Sequence, residues 1–554
     1  MSTLVLLAVL ATATASATLA ITQLDFDSLD VVGADARDFQ LTLAADDISP
    51  LVLAFSSDQN IKALSLRPMF AARGIKPIPE LDIRWLIPWY QGGGPTRSIK
   101  HTVREGEVAR DLVYELLVKD AQFVKNDLLT KRSALRLSGG EYIDVEAMLP
   151  VKGHRYIDAK KYPIIDADQL SATRLEADAK VIAWMNIHVP ADTAGGNYTK
   201  KIGVYVDDAL IPQQVITLNI KVLPLALEDS EIEHSIFYRG QLTQQPFFSA
   251  ISSDLKTSRQ LKYELQNMLS HGVSSPTIYQ DVKVRSLFSR HMALREASGI
   301  DNEKLYYAGP SHKIVVTQKA KAELLGTIKK ISDIAQTKVY MFAIDEATGE
   351  RVSEQHATWA LIRDSGASIF VTGKKGRSAK LGADIDLHVS AYDPDEDEAA
   401  GYHRHNSRVF VYAAPQGGVE DGTAYRFNYG FRLWQANYDG AMTYAYQAAM
   451  GSNVWNDFDS GEYRDHVFAY PTIDGLVDTR QWESYREAVD DLRYLATLNE
   501  MLSANNIRSN EALYREAVSW LRHARKSTHL IPAQARQNII ALLERMIAAG
   551  WRYE

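Results

Sequence analysis

Two rhythms of apolar and polar residues divide the chain. From about residue 21 to 225, hydrophobic positions alternate with polar ones in short runs broken by Gly, Pro, Asn and Asp, as in Val181-Ile182-Ala183-Trp184-Met185-Asn186-Ile187 and Val215-Ile216-Thr217-Leu218-Asn219-Ile220. Period-two patterning with turn punctuation predicts antiparallel strands, and this many of them predict a β-sandwich whose last strand Pro224 ends. Beyond Glu228, apolar strands alternate with amphipathic helices. Eight candidate strands lie at 234–239, 276–280, 304–308, 338–345, 367–371, 384–389, 408–413 and 441–446. Helices between them include 252–270, with Leu261, Leu265 and Met268 on one face, and 317–336, with Leu324, Ile328 and Ile331 on one face. Eight strand–helix repeats in roughly 250 residues predict a TIM (β/α)8 barrel. No Gly-rich fingerprint follows the first strand, which disfavours an open dinucleotide-binding sheet. The tail is helical: Asp478 and Gln481 stand at capping-box spacing, Ser509 is placed to cap a second helix, and Pro532 opens a third. The expected fold class is multidomain α and β, with an N-terminal antiparallel β-sandwich (18–228), a TIM barrel (229–477) and C-terminal helices packed on it (478–554).

Residues 1–17 carry an apolar run, Leu4 to Leu10, and end in Ala15-Ser16-Ala17. That is the shape of a secretory signal, without its basic start, and it predicts a secreted or periplasmic protein. No later stretch approaches about 20 uninterrupted apolar residues, so no membrane span is expected. With 61 Lys and Arg against 69 Asp and Glu, the net charge of −8 argues against nucleic acid as a partner. The chain has no cysteine, which removes disulfides, thiolate nucleophiles and thiolate metal sites.

In a barrel of this kind, chemistry belongs at the C-terminal strand ends. The strand 338–345 runs straight into Asp345-Glu346. Neighbouring residues of a strand point to opposite faces, so both acids reach one pocket only where the strand ends. Two carboxylates in a partly apolar pocket separate their proton affinities, which suits glycosidic bond cleavage; a solvated loop start is the plainer explanation of the same dipeptide. The other strand ends are rich in tyrosine: Tyr238 and Arg239, Tyr279, Tyr306 and Tyr307, Tyr392, Tyr412, Tyr444 and Tyr446. Aromatic faces stack on sugar rings, and 27 Tyr against 16 Phe is the balance of partly wet rings. Trp455 and Asn456 offer a further platform and amide. For any single Tyr, a place in the core explains it equally well. The acids of 393–398 read as a solvated loop, and His403 and His405 lack a third ligand nearby. The expected enzyme uses no metal and no cofactor.

In its order of motifs the chain resembles glycoside hydrolase family 123, the β-N-acetylgalactosaminidases and their bacterial relatives. The resemblance covers about 181–495. It rests on the 184–206 segment, Asp345-Glu346, Arg432-Leu433-Trp434, Tyr438-Asp439-Gly440, Trp455-Asn456-Asp457, and a tail running from Tyr470-Pro471 through Gly475, Arg480, Glu483, Arg486 and Asp490-Asp491 to Tyr494-Leu495. It implies a retaining mechanism in which the 2-acetamido oxygen of a β-linked N-acetylhexosamine, most simply N-acetylgalactosamine, attacks its own anomeric carbon. Glu346 would then be the acid/base and Asp345 the residue that orients the acetamido group, with burial among aromatic walls tuning Glu346. Tyr238, Arg239, Tyr279, Tyr307, Tyr392, Tyr412, Tyr446, Trp455 and Asn456 are the expected sugar contacts. The alternatives are a glycosidase for sugars without the acetamido group and a non-catalytic glycan-binding protein.

Overall fold

The computed structural model describes residues 18–35, 37–69, 79–93, 99–244, 249–300, 302–309, 317–504 and 510–551. The expected leader 1–17 and the expected cap Ser509 lie outside them. The N-terminal half packs two sheets face to face. Eight antiparallel strands form the larger, in the order Val31–Ala34, Leu19–Leu24, Asp47–Ser57, Lys180–Val189, Glu80–Gln91, Asp111–Val118, Leu476–Thr479 and Ala469–Pro471. The smaller contains Thr173–Leu175, Ile61–Met69, Gly196–Val206, Gln214–Ala226 and Asp38–Ala45. The period-two reading is visible in the packing: Ile216, Leu218, Ile220 and Val222 face Leu53, Phe55, Trp85 and Met185 across the core. Strand Lys180–Val189 is buried on both faces, since Ile182 and Trp184 pack behind the sheet, and so its apolar run is nearly continuous.

The second half is built on a curled, seven-stranded parallel sheet in the order Glu233–Ile236, Gly440–Thr443, Arg408–Ala413, Leu387–Ala391, Ser368–Gly373, Lys338–Phe342 and Lys304–Tyr307. Its curl brings distant strands together: the Tyr306 ring lies 5.7 Å from Phe370 and 6.4 Å from Phe410. Residues 276–280 form no assigned strand. They nevertheless hydrogen-bond to both edges of the sheet, Thr277 N to Ile236 O at 3.0 Å, and Ile278 N to Tyr306 O and Ala308 N to Ile278 O at 2.9 Å. Alternate side chains separate cleanly. Tyr306, Tyr340, Phe342, Phe370, Phe410 and Tyr412 fill the concave side, while Leu305, Tyr307, Val339, Met341, Ile369 and Val411 pack against the helices.

Helices Arg480–Ala504, Glu511–Lys526 and Pro532–Ala548 close the chain. The first is capped by Thr479, whose hydroxyl accepts from Trp482 N at 3.3 Å; Asp478, expected in that role, instead accepts from Arg84 at 2.6 Å and Asn267 at 2.8 Å. Asn510 caps the second helix. Helix Arg480–Ala504 is buried almost all round, charged face included. Ion pairs make that burial tolerable: Arg486 to Glu483 at 2.6 Å, Arg426 to Asp491 at 2.8 Å, and Arg536 to Glu487 and Asp491 at 2.5 Å. The charged tail residues that carry the family resemblance are these internal ties. Among the described residues, no helix is long and apolar enough to cross a membrane.

Candidate active site

Strand Lys338–Phe342 ends three residues before the acidic pair, and Ala343 N extends its ladder by one bond to Phe370 O at 3.0 Å. The chain then turns. Glu346 takes a left-handed backbone conformation with φ +43°, and Tyr392, just past strand Leu387–Ala391, has φ +72°. Each costs on the order of 1–2 kcal/mol for a residue with a Cβ, the kind of strain that gathers at functional sites. The turn lets two adjacent carboxylates share one mouth. Thr372 Oγ1, at the end of the neighbouring strand, donates to Asp345 Oδ1 at 2.6 Å and accepts from Glu346 N at 3.3 Å. The Tyr412 hydroxyl donates to Glu346 Oε1. Neither carboxylate forms an ion pair with a described residue. Both acids are exposed, so the aromatic burial expected around Glu346 is not what the structure provides; the turn lifts the pair to the rim.

Around them stand several rings. Burial, and then the bond to Glu346, hold the Tyr412 phenol well above its ordinary value, and Asp345 and Tyr392 also lie within its electrostatic reach. Tyr279 is half-buried; burial and then Tyr444 raise its phenol, with Asp345 close enough to add to the effect. Arg239 lies 5.8 Å from the Tyr279 ring centre. Its guanidinium grips Asp254 at 3.0 and 3.2 Å and reaches the Tyr444 hydroxyl at 3.3 Å. Tyr444 in turn meets His466 edge-on at 5.2 Å. Burial pushes His466 down to about 4, against the pull of the Gly417 carbonyl that accepts from Nδ1 at 3.1 Å. The mouth therefore brings together Asp345, Glu346, Arg239, Tyr279, Tyr392 and Tyr412 from the expected set.

Five expected residues lie elsewhere. Tyr238 and Tyr307 have the wrong strand parity and point to the helix layer: Tyr238 donates to Glu264 at 2.6 Å and Tyr307 packs on Phe288. Tyr446 shares the parity of Met442 on the concave side, but the strand ends at Thr443 and the chain beyond it carries Tyr446 to the helix layer, where it donates to Asn267 at 3.0 Å. Trp455 is fully buried in the sandwich core against Trp89 and Tyr470, its indole N–H on Pro471 O at 2.9 Å. Asn456 closes a local turn by accepting from Phe458 N at 3.1 Å. Thr372 and His466 were not singled out by sequence. Thr372 carried one usable signal, a hydroxyl at the end of the apolar run Ile369-Phe370-Val371.

The remaining polar clusters are accounted for by structure. Asp395 caps helix Glu396–His403, and His403 pairs with Asp439 at 2.9 Å. His271, Asp478 and Glu483 converge within 4.8 Å. Their carboxylates already hold Arg84, Asn267, Asn186 and Arg486, so the group is an ion-pair knot in which cations occupy the positions a metal would need. A cavity of about 760 Å³ opens at the opposite, N-terminal end of the parallel sheet, lined by Glu233, Lys304, Arg408 and Arg493 among others. It lies away from the strained turns and from the acidic pair.

No protein-family model matches the sequence, and no curated protein is significantly similar to it. The chain does share its fold with a solved glycoside hydrolase. That structure, described as giving the details of glycolipid glycan hydrolysis by a family 123 glycoside hydrolase from Clostridium perfringens, aligns over 96% of this chain and 100% of its own, with a TM-score of 0.59 at 12% identity. An O-GlcNAc hydrolase mutant from Thermobaculum terrenum aligns over 58% of this chain and 83% of its own, at 8% identity and a TM-score of 0.29, too slight an overlap to bear on the fold.

Proposed function

We propose that the protein is a glycoside hydrolase that removes β-linked N-acetylhexosamine, most simply N-acetylgalactosamine, by substrate-assisted retention. The parallel sheet is read as an eight-position barrel between limits near 228 and 477, with 276–280 as the position joining its two edges and strands Ala469–Pro471 and Leu476–Thr479 crossing back to the sandwich sheet. The observation that carries the proposal is the turn itself: two adjacent carboxylates at a C-terminal strand end, held by neutral hydroxyls, beside Tyr279 and Tyr392. The fold shared with a family 123 enzyme supports it.

In this mechanism the acetamido oxygen forms a bond to the anomeric carbon as the glycosidic C–O bond breaks. Glu346 gives its proton to the leaving oxygen, and the sugar becomes an oxazolinium ion. Asp345 accepts the acetamido N–H and stabilises the positive charge that develops. Glu346, now ionised, takes a proton from water as that water bonds to the anomeric carbon from the face the leaving group left, and the oxazolinium C–O bond on the opposite face breaks to restore the acetamide. No protein nucleophile is needed. A conventional retaining site would need a second free carboxylate, and Asp254, which lies beside the mouth through Arg239, has both oxygens on that guanidinium. The N-terminal run supports export of the mature chain, and a glycan is the partner proposed.

The test is hydrolysis of aryl N-acetyl-β-galactosaminide and N-acetyl-β-glucosaminide beside their 2-hydroxy counterparts. Turnover confined to the acetamido sugars supports the reading. Turnover of the 2-hydroxy sugars alone, or of none, rejects it.

A further inference from the structure

The acidic pair is carried by 343–349, a stretch that belongs to no strand or helix and contains the left-handed Glu346. Such a turn holds a catalytic geometry only if something outside it fixes its backbone. Thr372 reaches its beginning. Its far side is reached by Arg377, from the connection that follows the same strand: the guanidinium donates to the carbonyl of Ala347, the residue next to Glu346. Arg377 is itself in a short connection, and that connection is tied down in turn. Gly376, with φ +78°, donates its N–H to Glu398 Oε2 at 2.7 Å. Glu398 is buried in helix Glu396–His403. Arg377 also lies within electrostatic reach of Glu398, Tyr402 and His388, on the inner side of the turn.

We infer that Arg377 is a positioning residue for the Asp345–Glu346 turn, and that Glu398 anchors it through Gly376. The chain of contacts is Glu398, Gly376, Arg377, Ala347, Glu346, with Thr372 as the second point of the clamp. This inference rests on the proposed hydrolase activity for its kinetic consequence and on geometry alone for its mechanical one. Removing the guanidinium frees the 347 carbonyl and lets the pair wander by a distance that matters: misplacement of a catalytic group by about 1 Å costs up to 10²-fold in rate.

The test measures two things on the full chain. One is hydrogen exchange of the amides in 343–349, with helix Ser258–Ser270 as the internal control. The other is kcat and KM on the aryl acetamido glycoside that the wild type cleaves. For Arg377→Ala the expected result is exchange about fivefold or more faster in 343–349 with the control unchanged, and a kcat lower by about tenfold or more with KM within about twofold. Arg377→Lys, which keeps a donor and a charge, recovers part of both. Glu398→Ala loosens the same amides, whereas Glu398→Gln, which keeps an acceptor for Gly376, exchanges as the wild type does. Unchanged exchange in 343–349 for Arg377→Ala, or equal acceleration in the control helix, overturns the inference. A wild type that cleaves no glycoside defeats the proposed function, and the exchange result still decides the clamp.

Discussion

Carboxylates at the two ends of the parallel sheet are held in opposite ways. At the N-terminal end Glu233 is buried and accepts from Lys304 at 2.9 Å, Arg408 at 3.0 Å and the Tyr306 hydroxyl at 3.0 Å. At the C-terminal end Asp345 and Glu346 are exposed, and among the described residues the hydroxyls of Thr372 and Tyr412 hold their side chains. A carboxylate that already accepts from two cations and a hydroxyl has little capacity left for a substrate. One held by a hydroxyl is oriented without being neutralised, and its remaining lone pairs face the opening. Backbone strain follows the same division, with left-handed Glu346 and Tyr392 at the C-terminal end. A cavity of about 760 Å³ lies at the other end, among paired charges. A cavity alone is therefore a poor guide here, and the way the carboxylates are held is the better one.

The sharpest way to break this comparison is to neutralise Glu346. Glu346→Gln keeps the acceptor for Tyr412 but has no proton to give, and kcat on the aryl acetamido glycoside is expected to fall by about 10²- to 10⁴-fold while urea unfolding is unchanged. A variant with wild-type kcat would place the acid elsewhere. Asp345→Asn removes the charge that steadies the oxazolinium ion and is expected to cost about 10²- to 10³-fold in kcat, again with stability preserved. Equal kcat for variant and wild type would assign Asp345 to structure.

At the opposite end the expected pattern inverts. Glu233→Gln leaves Lys304 and Arg408 without their counter-charge, and about 1–3 kcal/mol of unfolding free energy is lost while kcat stays within twofold. A drop in kcat without loss of stability would mean that the N-terminal end takes part in the reaction. The smallest effect concerns the buried charged helix. Burial, with repulsion from Asp47 and Glu487 against the pull of Arg493 and Arg536, pushes Asp490 up from 3.8 to about 7. A carboxyl raised in the folded state binds more protons folded than unfolded between those values, so its contribution is complete below about pH 4 and is lost as pH rises through about 7. Asp490→Asn is therefore expected to raise the Tm at pH 8, the gain shrinking toward pH 4; a gain independent of pH would contradict the assignment.

Much of this organisation is legible in the sequence because it depends on local periodicity. The alternating runs of the sandwich, the strand–helix repeats after Glu228 and the acidic pair at the end of an apolar strand all announce themselves within a dozen residues. What is not legible depends on parity and on distant partners. Whether Tyr306 or Tyr307 faces the concave side is decided by a one-residue shift against the curl of the sheet, and the same parity sends Tyr238 to the helices, whereas Tyr446 reaches them from beyond the end of strand Gly440–Thr443. Trp455 follows the last parallel strand but completes the core of a sandwich that begins over 400 residues earlier. Strand Leu476–Thr479 likewise returns to the sandwich sheet by pairing with Asp111–Val118, and Ala469–Pro471 joins that sheet by pairing with Leu476–Thr479. The clamp by Thr372 and Arg377 shows only when two connections, about 30 residues apart, are seen side by side.

The most direct test of where the chemistry occurs is a crystal structure with a thiazoline analogue of the proposed oxazolinium intermediate, the 2-methyl-thiazoline of N-acetylgalactosamine, at saturating concentration. The expected result is the analogue at the C-terminal mouth, its ring nitrogen within hydrogen-bond distance of Asp345 and its anomeric carbon beside Glu346. An empty mouth, or the analogue bound only in the cavity beside Glu233, would contradict the account.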